Sequence, residues 1–265
     1  MTTINGINAS TNQFNQIANN LSDVANAASA RTNLGLGSAA TQSTSAFIQT
    51  VNVQYFSATG TYTPTTGMVY CIVETVGAGG GGGGSIGSAS TQYSAAGGGG
   101  GGYVRSKLTA AAIGASKAVT IGAGGAFGTG AQDGSAGTST SLGTLVIATA
   151  GAGGGQGGAA ALIPNGGAGG GAGSTGDFIS IGSQGAPGGA GNFAPYTVYG
   201  LGEGGASFFG GSVFTPSIIS GHTQGNTGRN YGGGGSGAFA VGNGNSDHGG
   251  AGAPGFMIIT EYIAT

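Results

Sequence analysis

The chain has 265 residues, 66 of them glycine, and its five basic and seven acidic side chains leave a formal charge of −2. Soluble domains average about 7% glycine and about 25% charged residues, so a chain about a quarter glycine and 5% charged is not composed like an ordinary enzyme domain. No Lys or Arg cluster is dense enough to neutralise several phosphates, which argues against nucleic-acid binding, and 38% hydrophobic content with almost no net charge argues against disorder.

Residues 1–46 are rich in Asn, Ala, Ser and Thr and poor in glycine, so a first domain boundary falls before Phe47. The opening Met1-Thr2-Thr3-Ile4-Asn5 lacks the basic region and apolar core of a signal peptide. Phe14, Ile17, Leu21, Val24 and Ala28 step by three and four residues, a heptad seam. Ser22 is placed to cap a helix from Asp23 to Arg31, with Gly35 as its stop. Such a short helix is marginal alone in water, and nothing else in this segment covers its apolar stripe, so the seam calls for self-association.

From Phe47 the pattern changes to period two with β-branched and aromatic residues, predicting strands at 51–55, 68–76, 103–108, 118–121, 142–149 and 256–262. No apolar run approaches the roughly 18 residues of a membrane-spanning helix. A single cysteine, Cys71, cannot form an intrachain disulfide, and its strand setting reads as a packed thiol. Between the first and last strands lie glycine runs at 79–84, 97–102, 153–155, 169–171 and 232–235, so residues 47–265 read as one domain with a β framework around a glycine-rich body.

Collagen is excluded, because it needs glycine at every third position with abundant proline, whereas runs of six glycines occur here with only six prolines in all. A flexible linker would be serine-rich and would not alternate with apolar strands inside one domain. The remaining reading is ordered polyglycine II: left-handed, three residues per turn, rising about 3.1 Å per residue. Such helices make no internal hydrogen bonds, so their backbone must find partners on neighbouring chains.

Motifs for chemistry are weak. Val76-Gly77-Ala78-Gly79-Gly80-Gly81-Gly82 satisfies the dinucleotide glycine pattern, but no helix opens after it and no acid stands about 20 residues on. Asp247-His248 is the one adjacent acid–imidazole pair, set in a turn-rich stretch where Asp usually supports the backbone. Neither a metal site, a cofactor nor a catalytic residue is expected, and the protein is read as a non-enzyme. The aromatic inserts stand out instead: Phe193, Tyr196 and Tyr199; Phe208, Phe209 and Phe214; then His222, Arg229 and Tyr231. Together with Asp247 and His248 they are the candidate recognition residues, since loops on a rigid scaffold are where recognition concentrates.

The stretch from Asn20 to Gly37 closely resembles a segment that recurs in trimeric bacteriophage tail fibres just before a terminal domain. The framework Phe56–Tyr62 and Cys71–Gly80, closed by Gly252–Tyr262, is similar to the phage glycine-rich fibre domain. The resemblance implies a mainly β receptor-binding tail fibre or tip adhesin in the virion, homotrimeric through the Phe14, Ile17, Leu21, Val24 and Ala28 seam. It implies packed polyglycine II helices whose loops bind an outer-membrane protein or surface glycan of the host. The N-terminus would then join other tail or fibre proteins. The alternative is a non-viral structural protein of the ice-binding or wall type, which irregular aromatic inserts disfavour. A glycan-cleaving tip would need a close carboxylate pair, and the seven acids are scattered.

Overall fold

The computed structural model describes residues 26–36, 48, 50–88, 91–159, 164–171, 173–188, 190–192, 202–214, 223–242 and 245–264. The chain divides into two units, Met1–Phe47 with Thr265, and Ile48–Ala264. In the first, α1 (Ala27–Asn33) starts later than its sequence suggests. Asn26 stands outside the helix at φ −134°, and its side-chain oxygen accepts from Ser29 N at 2.9 Å, so the cap is Asn26 and not Ser22. Asn caps as well as Ser does, and here it lies directly before the alanine-rich stretch. Gly35 ends the helix at φ +67°, with Leu36 N reaching back to Arg31 O. Ala28 is exposed on α1, while Phe14, Ile17, Leu21 and Val24 lie outside the described residues.

The second unit is mainly β. It opens with β1 (Thr50–Phe56), β2 (Gly60–Tyr62), β3 (Met68–Val76), β4 (Ser85–Ile86), β5 (Thr91–Ser94) and β6 (Tyr103–Thr109). A helical turn α2 (Ala110–Ile113) precedes β7 (Lys117–Thr120), β8 (Thr140–Leu142), β9 (Val146–Ala148) and β10 (Phe178–Ser180). The last strands are β11 (Ala190–Asn192), β12 (Phe239–Ala240), β13 (Ser246–Asp247) and β14 (Phe256–Ile263). The stretch 142–149, expected as one strand, is a hairpin arm: Gly143 at φ +52° and a bond from Leu145 N to Leu142 O turn the chain between β8 and β9.

An antiparallel five-stranded sheet runs β1-β14-β3-β6-β10, so the two ends of the unit lie side by side, with β1 at the sheet's edge. A second sheet, β2-β7-β8-β9, supplies the other half of the core. Tyr62, Cys71, Val73, Val104, Ile113, Val119, Leu142, Met257 and Ile259 are buried together between them. Period-two strands with one apolar face require such a partner sheet. Cys71 is a buried free thiol on that inner face, and burial pushes its ionisation upward.

The glycine runs extend from this framework. Run 77–84 leaves the end of β3 and run 95–102 returns to the start of β6, which gives the runs a framework end and a far end. Their backbone bonds follow a three-residue cycle. The N–H groups of Gly79 and Gly82 reach Ala253 O and Gly250 O, those of Gly80 and Gly83 reach Gly99 O and Ala96 O, and those of Gly81 and Gly84 reach Ser135 O and Gln132 O. Run 97–102 repeats the cycle with Ala186 and Ser183, Gly235 and Gly232, and Ala152 and Thr149 as acceptors. Buried backbone groups must be paired, and here the pairing runs between separate segments of the same chain in three directions rather than within a sheet. The remaining directions are closed too. A Cβ added at Gly79 or Gly82 would land on the carbonyls of Gly233 or Ser236, one at Gly80 or Gly83 on those of Ala152 or Gly155, and one at Gly81 on that of Ala126.

Candidate functional site

The sequence-predicted recognition residues fall into separate groups. At the framework end, run 202–207 delivers Phe208 and Phe209 to the first residue of β6, where Phe208 stacks on Tyr103 at 3.9 Å and 18°. Phe209 meets Phe208 edge-on at 5.2 Å and Phe256 at 6.1 Å, and Tyr231 stacks on Phe256 at 4.2 Å. The turn is fixed by Ser207, whose hydroxyl donates to Tyr231 O while accepting from Gly210 N, and by Asn230 in a left-handed conformation at φ 52°. Tyr103 itself is buried and donates to Glu74 Oε1 at 2.6 Å; burial, then the carboxylate beside it, pushes its ionisation far upward. Arg229 is exposed at the same turn.

The second group lies toward the far end. Asp247 is buried in β13, paired with Ser85 of β4, and its carbonyl accepts from Gly130 N at 3.1 Å. His248 packs its ring 4.5 Å from that of Phe127, and its Nδ1 lies 2.8 Å from Gly249 O. Nδ1 therefore donates to a backbone carbonyl. Phe214 is 59% exposed, with its carbonyl held by Asn226 Nδ2 at 2.9 Å. Phe193, Tyr196, Tyr199 and His222 lie outside the described residues.

The far end also carries features that pattern reading misses. A polar groove of about 520 Å³ is lined by Asp133, Gln156, Pro164 and Asn165. Asp133 Oδ1 accepts from Gln156 N at 2.8 Å, where the run cycle would place a neighbouring carbonyl. Phe127 is 44% exposed beside His248. Gln92 in β5 is fully buried, and neither of its amide atoms bonds to a partner among the described residues. Single polar residues inside glycine-rich stretches give no periodic signal, so only the packing of runs brings them together. Among the described residues, no group of three or more His, Cys, Asp or Glu could hold a metal ion.

A glycine-rich domain family model matches residues 56–262, most of the chain. The chain belongs to that family. The match begins at the last residue of β1 and ends one residue before the end of β14. The family's domain therefore takes in β2 through nearly all of β14 and the runs between them, and leaves out all of β1 except Phe56. No curated protein matches the chain.

Proposed function

We propose that this member of the glycine-rich domain family is a bacteriophage tail-fibre receptor-binding protein that recognises the bacterial surface through the far end of its runs. The runs are polyglycine II-type helices. The three-residue cycle of backbone partners supports this, because a helix with three residues per turn aims every third N–H in the same direction. The observation that carries the functional reading is that the runs present almost no side chains and are closed on all sides by neighbouring backbone. A surface without side chains cannot discriminate partners, so specificity belongs to the connections at the ends of the runs.

Of the two ends, the framework end ties Phe209, Tyr231 and Phe256 into ring contacts, with Phe208 stacked on Tyr103 though 59% exposed. The far end holds Phe127 and Phe214 exposed, a polar groove beside Asp133 and Asn165, and the amide of Gln92, which bonds to no partner among the described residues. Phe193, Tyr196, Tyr199 and His222 belong by sequence to the same set of connections. The N-terminal unit trimerises through its seam and joins the protein to the tail or to a longer fibre. The partner is an outer-membrane protein or a surface glycan, and no enzymatic step or cofactor is involved.

A pull-down with intact outer membranes of susceptible bacteria tests the reading. Saturable capture that is lost on membranes from adsorption-resistant mutants is expected, and equal capture by both would overturn it.

A further inference from the structure

The outer face of the five-stranded sheet mixes charged and apolar side chains, and along β1 its polarity is reversed for a surface facing water. Register aligns Tyr55, Ile258, Glu74, Arg105 and Phe178 in one row across it. Val53, Thr260, Ile72 and Lys107 form the next row, and Val51, Tyr262, Tyr70 and Thr109 the third. An antiparallel sheet with one free face ordinarily alternates apolar-in and polar-out. β1 does the reverse: Asn52 and Gln54 point inward to hydrogen bonds with Glu261 and Thr63, while Val51, Val53 and Tyr55 point outward at 54%, 38% and 68% exposure. β3 and β14 place Tyr70, Ile72, Ile258 and Tyr262 on this outer face as well, interrupted by Glu74 and Thr260.

β1 is also an open edge. Among the described residues its backbone bonds only to β14, and it contains no Lys, Pro or bulge, the devices that keep edges of monomeric sheets from pairing. We propose that this face and edge form an interface between copies of this chain. The occupant is a second copy because of what feeds β1. The heptad seam ends at Ala28, about 20 residues before β1 begins in the sequence, so chains joined at the seam hold their β1 strands at high effective concentration. The inference rests on the self-association reading of the seam and adds to it a second contact, in the distal domain.

Sedimentation velocity of the full chain across a dilution series tests it, using Val51→Glu with Val53→Glu on the face and Ile17→Asp with Leu21→Asp in the seam. The parent is expected to associate, and the face variant to dissociate at about tenfold or more higher concentration with its melting temperature unchanged. A folded face variant that associates as the parent does would overturn the inference while leaving the seam intact. A seam variant that stays associated while the face variant does not would sink the seam and support the face. A parent that is monomeric throughout overturns both contacts and leaves host recognition to the membrane assay. Should the face variant misfold, hydrogen exchange of the parent decides: amides of Val51–Tyr55 must gain protection with concentration, and no gain rejects the interface.

Discussion

Glu261 is fully buried among apolar side chains, yet Asn52 Nδ2, the Tyr62 hydroxyl and both the amide and hydroxyl of Thr65 donate to it at 2.6–2.9 Å. Burial alone would push its carboxyl up; the donors of Thr65, Tyr62 and Asn52 outweigh that and hold it below the ordinary carboxylate range. Because the folded value is depressed, its contribution to stability is complete above the unfolded value of about 4.3. The contribution is lost as pH falls through the lower folded value. The framework's melting temperature should therefore drop on acidification below about pH 4.3. In Glu261→Gln that part of the acid dependence disappears, and because an amide NH₂ faces donors, about 1–3 kcal/mol is lost at neutral pH. An unchanged acid limb in calorimetry would show that this carboxylate does not govern it. The sequence hides this role, since an acid in an apolar strand reads equally well as an outward residue until β2 and the 63–65 turn are seen to supply donors.

At the scale of the element, strands and runs differ in how much their residues announce. The strands at 68–76 and 256–263 are legible because apolar and β-branched residues recur at alternate positions, a signal internal to each segment. A run of identical glycines has no phase, so nothing within 77–84 or 97–102 tells which neighbour each N–H will meet. Gly99 makes the constraint measurable. Its N–H bonds to Ala152 O at 2.9 Å, and an added Cβ would land on Ala168 O, a backbone atom that cannot move aside alone. Gly60 in β2, by contrast, has nothing within 4 Å of an added Cβ and no positive φ. Gly99→Ala should cost about 1–3 kcal/mol or more through forced separation of the runs. Gly60→Ala should be neutral, or stabilising by up to about 1 kcal/mol through the unfolded chain. Equal melting temperatures for the two variants would mean that the runs are not close-packed in solution.

Across residues 48–264, the described candidates Phe208, Phe209 and Tyr231 lie at the framework end of the runs, while Phe214 and His248 lie toward the far end. Composition picks out aromatics but not their surroundings: Phe209 and Tyr231 lie against Phe256, while Phe127, absent from the inserts, stands exposed beside His248. Truncation should therefore split cleanly. Phe209→Ala and Tyr231→Ala remove ring contacts worth about 0.5–1.5 kcal/mol beyond their buried area, so both should lower the melting temperature, with adsorption falling only as far as folding does. Phe127→Ala and His248→Ala remove one half each of a single partly exposed ring pair. If they anchor a receptor, each should cost about 2 kcal/mol of binding, a loss of adsorption of more than tenfold at an unchanged melting temperature. Adsorption and calorimetry on the same four preparations decide between the ends. Loss of adsorption by folded Phe209→Ala, with Phe127→Ala and His248→Ala still adsorbing, would move recognition to the framework end and assign the far-end groove and its exposed rings to packing.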